Sequence, residues 1–148
     1  MLTDIIKEYC QSINIAENTE KRIHEIKEIY QSLDPQFESS IEDVFVTNMK
    51  SAEGTYSFSN LWFFSKNYVY EAKNFIHSID IDKTRIDQEH NLYYWNITLP
   101  DGNWGNIDDH IVIRGNTGNN MGILLTGVGE NKKHLLRIIK KYLNCNIC

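Results

Sequence analysis

At Ile41 the recurrence of apolar residues changes from about 3.6 to 2, and the helical period returns only near Glu130. That switch constrains the fold more than any other feature of the chain. Between those points lie seven or so short alternating segments separated by turn residues, with no helical pattern among them. "IEDVFVTN", residues 41–48, is the first predicted strand, and "SAEG" turns it back. "TYSFSNLWFFS", "NYVYEA" and "HSIDID" follow, with polar breaks expected at Asn60 and at Ser65-Lys66-Asn67. "NLYYWNITL" alternates Leu92, Tyr94, Asn96 and Thr98 against Tyr93, Trp95, Ile97 and Leu99, and Pro100-Asp101-Gly102 makes a turn. "HIVIRG" and "MGILLTGV" flank a glycine- and asparagine-rich loop, 115–120. A run of short antiparallel strands must close or fold over to hide its edges.

Helical patterns bracket this run. Thr3 is placed to cap a first helix, with Asp4 in its first turn and Leu2, Ile5, Ile6, Tyr9 and Ile13 at helical spacing. Asn14 and Glu17 have the offset of a capping box. Ile23, Ile26, Tyr30 and Leu33 then form one stripe, which Asp34-Pro35 ends because the residue before proline avoids helical geometry. Residues 3–33 are thus either one long helix or a hairpin of two. Because the stripe alternates steps of three and four, it is also a candidate surface for self-association into a homodimer. From about Glu130 to Leu143, Leu135, Ile138, Ile139 and Tyr142 define an amphipathic C-terminal helix suited to plug an open barrel end.

The fold class expected is α+β: a bent antiparallel β-barrel of about seven strands with a C-terminal capping helix. Residues 1–34 form a helical arm, residues 41–148 the barrel and its helix, and the two make a single compact unit. A chain of 148 residues, 41% hydrophobic and 24% charged, has ordinary globular usage, which excludes wholesale disorder.

Charge narrows the partners. Residues 34–128 carry six Lys/Arg against thirteen Asp/Glu, whereas residues 129–148 carry five against one. An acidic body argues against non-specific binding of nucleic acid or an anionic membrane, since both need a positive footprint. The first ten residues, "MLTDIIKEYC", contain two acids and no long apolar core, so no secretory signal is read there, and no run is long and apolar enough to cross a membrane. Three cysteines make no disulfide framework in a chain of this length. A cytoplasmic location is expected.

"GTYSFSNLWFFSKNYVYEA", residues 54–72, and "FIHSIDIDKTRI", residues 75–86, together with the order of elements, resemble the pleckstrin-homology-like superfold in its GRAM and bacterial PH-like branches. The likeness is strongest over residues 54–86. It implies a seven-strand bent barrel with a C-terminal helix, and binding of lipid headgroups, peptides or proteins rather than catalysis. Headgroup-binding members use a basic cluster about the first hairpin. Here "NMKSAEGTY" offers Lys50 alone, opposed by Glu53, so phosphoinositide binding is not expected.

Candidate chemistry is sparse. "LLTGVGENKKHLLRII", residues 124–139, has the look of a phosphate cradle, yet one residue separates Gly127 from Gly129, Lys132 precedes another lysine, and Glu130 repels an anion. The simpler reading is a strand-to-helix turn. Lys133, Arg137, Lys140 and Lys141 lie three or four apart and define a basic helix face, a docking surface for an acidic partner. Trp104, between glycines in "PDGNWGN", is a candidate binding anchor. Asp108 and His110 share a face of an extended segment and are the best acid/base pair available, although no third ligand stands at motif spacing. Cys145 and Cys148 form a terminal C-x-x-C that lacks two further zinc ligands. No metal or cofactor is expected. These features favour a non-enzymatic protein–protein recognition module, of an inhibitory, immunity or adaptor kind. The alternatives are a binder of a small anionic ligand or nucleotide, in the barrel mouth or the loops of residues 115–129, and an enzyme using Asp108 and His110.

Overall fold

A computed structural model describes residues 1–51, 53–66, 68–77, 80–85, 94–98, 110–116 and 122–142, with residues 80–85, 94–98, 110–116 and 122–123 described by their backbone alone. Helices stand at both ends of an antiparallel β region, giving an α+β protein. In chain order the elements are α1 (Leu2–Ser12), α2 (Glu17–Leu33), α3 (Phe37–Ser40), β1 (Asp43–Lys50), β2 (Tyr56–Phe64), β3 (Tyr68–Lys73), β4 (Asp80–Arg85), β5 (Tyr94–Thr98), β6 (His110–Asn116), β7 (Gly122–Val128) and α4 (Asn131–Tyr142). The seven strands form two sheets, β1-β2-β3-β4 and β5-β6-β7. Among the described residues no pairing joins them, so the single closed barrel expected from the alternation is not what forms.

There are two compact units, residues 1–46 with 59–85, and residues 47–58 with 86–148. The N-terminal helices belong to the first unit.

In that first unit the helical segment is a hairpin of two helices. Asn14 takes a left-handed conformation at φ 55°, and Ile15 N–H donates to the Cys10 carbonyl at 3.0 Å, closing α1 in a tight turn. Two capping expectations fail here. α1 begins at Leu2, so Thr3 lies inside it, and its hydroxyl instead accepts from Lys27 Nζ at 3.2 Å. The N-cap of α2 is Ala16, without a side-chain cap. Asn14, left-handed and two residues ahead of the N-cap, does not hold the capping-box position, and Glu17 pairs with Lys21 at 3.3 Å. The end of α2 is as expected: Asp34 is extended, at φ −136° and ψ 101°, ahead of Pro35.

The core of this unit is aromatic. Tyr30, Phe37, Phe63 and Tyr70 form a closed set with ring centroids 5.0–5.7 Å apart, mostly edge to face. Each tyrosine keeps its hydroxyl satisfied: Tyr30 donates to the Glu71 carbonyl at 2.8 Å and Tyr70 to Asp34 Oδ2 at 2.9 Å. Tyr9 reaches β1, where its hydroxyl accepts from Val46 N–H at 2.9 Å and donates to the Val46 carbonyl at 3.5 Å. Lys27 is buried yet charged. Burial works against that charge, but Glu28 at 3.0 Å and Glu38 at 3.4 Å outweigh it and raise the pKa of Lys27.

β2 and β3 pair antiparallel from Leu61↔Ala72 to Phe64↔Val69, and β3 pairs with β4 from Tyr68↔Arg85 to Lys73↔Asp80. Asn60 does not break β2. Its side chain donates to Glu71 Oε2 at 2.8 Å and accepts from Asn74 N–H at 3.0 Å, so the polar residue belongs to the ladder's surroundings. β4 begins at Asp80, not His77, because His77 lies in a turn after the left-handed Asn74.

The second unit is a meander followed by a helix. β5 pairs with β6 from Tyr94↔Asn116 to Thr98↔Val112, and β6 with β7 from His110↔Val128 to Asn116↔Gly122. α4 buries Asn131, Leu135, Ile138, Ile139 and Tyr142 on the face expected.

Candidate functional site

The passage from β7 into α4 is the stretch that resembled a phosphate cradle. Its two glycines do different work. Gly129 takes φ +65°, which an L side chain rarely adopts. Gly127 lies within β7, where a Cβ would stand 3.2 Å from the Asn131 carbonyl oxygen and 3.3 Å from Leu135 Cδ2. Gly127 therefore lets the first turn of α4 close onto the strand. The turn is fixed from β1: Asn48 Oδ1 accepts from Val128 N–H at 3.0 Å and from Asn131 Nδ2 at 2.9 Å. Both asparagines are buried. At the rim, exposed Glu130 pairs with Lys133 at 2.9 Å. The hydrogen bond and charge of Lys133, with a smaller contribution from His134, hold the Glu130 carboxyl below the usual carboxylate range. A carboxylate kept ionised at the start of a helix occupies the place where an anionic ligand would be stabilised. The turn is a structural joint, as the glycine spacing implied.

α4 has two faces of opposite character. Opposite its buried residues, Lys133, Leu136, Arg137, Lys140 and Lys141 are exposed, at offsets of zero, three, four, seven and eight along the helix. All four cations proposed from sequence therefore share one surface. Arg137 Nη1 lies 2.6 Å from His134 Nδ1, and Lys141 Nζ lies 5.2 Å from the Tyr142 ring centroid. Sequence reasoning overlooked Leu136, which is 38% exposed amid the cations. Its signal was present, since Leu136 falls outside the 135-138-139-142 stripe.

The other candidates fare differently. Ile23, Ile26 and Tyr30 are buried inside the first unit, and only Leu33, at 72% exposed, points outward. The stripe read as a self-association surface thus serves this chain's own core. Trp104, Asp108, residues 117–121, Cys145 and Cys148 lie outside the described residues, and His110 is placed in β6 by backbone alone. Cys10 is buried and unpaired by disulfide. His24 has its pKa lowered, first by burial and then by the charges of Lys27 and Lys7, against Glu20 and Glu28. Among the described residues no group of three His, Cys, Asp or Glu could hold a metal ion, and no helix is long and apolar enough to cross a membrane. No protein-family model, curated protein or solved structure matches the chain.

Proposed function

We propose that this chain is a non-enzymatic, cytoplasmic protein–protein recognition module of the inhibitory, immunity or adaptor kind, whose docking surface is the exposed face of α4. The observation that carries this reading is the division of that helix. Leu135, Ile138, Ile139 and Tyr142 anchor it to its own unit, while Lys133, Arg137, Lys140 and Lys141 are all exposed on the opposite side. Dipole compensation at a helix C-terminus accounts for Lys140 and Lys141 and the pair with Glu130 for Lys133, yet all four cations present one strip to solvent. A cationic strip on an otherwise acidic chain favours an acidic partner and speeds its encounter.

The fold reading that accompanies it is PH-like. It rests on element order: seven consecutive strands split four and three, then one helix seated by its apolar face. Homodimerisation through α2 loses its support, because three of its four residues are buried.

Wild-type and K140E/K141E chains, both shown by circular dichroism to be folded, test the reading when immobilised and exposed to a native lysate. Proteins held by wild type at low salt, released at high salt and not held by the variant are the expected result. Identical retention by the two chains would overturn it.

A further inference from the structure

We infer that the occupant of the α4 face is an acidic amphipathic helix that seats an apolar side chain on Leu136. This deepens the proposal above and rests on it. The strip from Lys133 to Lys141 spans eight residue steps, about 12 Å at 1.5 Å per residue. That length matches two turns of a second helix laid alongside. Leu136 borders the strip at one edge, three residues from Lys133 and four from Lys140. The aliphatic stems of lysine and arginine extend the apolar surface around it while their charged ends remain in water. The surface therefore offers an apolar spot bordered on one side by cations, and its complement is an apolar residue with carboxylates beside it. An amphipathic helix presents that arrangement at offsets of three and four.

The same features disfavour other polyanions. A phosphate backbone has no group to cover Leu136, and four cations on a chain of net charge −5 give little counterion release. A bilayer needs a wider apolar face than one leucine. The strip also has a polarity. Glu130 neutralises Lys133 at the N-terminal end, so carboxylates of the occupant concentrate toward Lys140 and Lys141 at the C-terminal end.

The test uses the full-length chain labelled with nitrogen-15 and two synthetic peptides of one glutamate-rich, leucine-bearing composition. One is ordered so that leucine and glutamates share a helical face, and the other is shuffled so that they do not. The ordered peptide should bind about tenfold more tightly and shift the amides of Leu136, Arg137, Lys140 and Lys141. L136A should weaken the ordered peptide about fivefold and leave the shuffled one unchanged, while K140E/K141E abolishes binding of both. Equal affinity for the two peptides with a silent L136A would overturn the helical occupant, while shifts confined to α4 would leave the docking face standing. If neither peptide shifts α4 and K140E/K141E changes nothing, the docking face itself fails. Tighter binding of a short DNA duplex at α4 would overturn both.

Discussion

Asn48 and Asn131 stand 83 residues apart in sequence, yet the side-chain amide of Asn131 donates to the side-chain oxygen of Asn48 at 2.9 Å in a buried site. The same oxygen accepts from Val128 N–H, so one atom holds both the end of β7 and the start of α4. Asn48→Ala strips two buried donors of their acceptor and should cost about 1–3 kcal/mol. Urea denaturation followed by circular dichroism checks this, and an unchanged midpoint would contradict the role given to Asn48.

Gly127 and Gly129 should respond differently to substitution. At Gly129 the obstacle is the positive φ, so G129A should lose about 1 kcal/mol and G129N less, since asparagine tolerates that conformation. At Gly127 the obstacle is a backbone carbonyl 3.2 Å from the added Cβ. G127A should cost about 1–3 kcal/mol, and asparagine should be no better there. Thermal denaturation of the four variants separates the two causes, and rescue of Gly127 by asparagine would refute the packing argument.

Burial, reinforced by the charge of Glu20, pushes the Cys10 thiol from 9.0 up to about 12. Its folded-state pKa is raised, so its contribution to stability is complete below pH 9.0 and declines as pH rises toward 12. That difference bounds the loss at about 4 kcal/mol. In a C145S/C148S background, added C10A should remove this alkaline component from the stability profile. Native protein in that background should react with a thiol reagent near neutral pH only as fast as it opens. Prompt reaction would place Cys10 at the surface.

Ile26→Ala and Leu33→Lys distinguish an internal stripe from an interface. Ile26 is fully buried in the first unit, so its truncation should cost about 2–5 kcal/mol without changing the molecular mass in solution. Leu33→Lys, at an exposed position, should change stability by less than about 0.5 kcal/mol. Light scattering across a concentration series gives the mass. Dissociation of a dimer by either variant would restore the self-association reading.

Local patterns were legible in the sequence, and long-range chemistry was not. Alternation found all seven strands, and the 135-138-139-142 stripe found the buried face of α4, because each signal repeats within one element. Asp34-Pro35 marked a true helix end for a local reason. Asn60 misled because polarity suggests a break, whereas its partners Glu71 and Asn74 belong to residues that the fold brings near. Lys27 sits off the apolar stripe and yet is buried, since the carboxylates that compensate it come from a neighbouring position and from α3. The division into two sheets was equally hidden, because alternation records which way a side chain faces and not which strand lies beside it. For the exposed face of α4 the four cations could be read directly, while Leu136 needed the buried stripe to be known first.

The hydroxyl of Tyr9 occupies both polar groups of Val46 on β1, the outermost strand of its sheet. A strand margin that nothing covers is a template on which another chain can add itself, whereas β1 is buried from Asp43 to Asn48. The phenol of Tyr9 is thus one of the covers that keep this margin from meeting a neighbour.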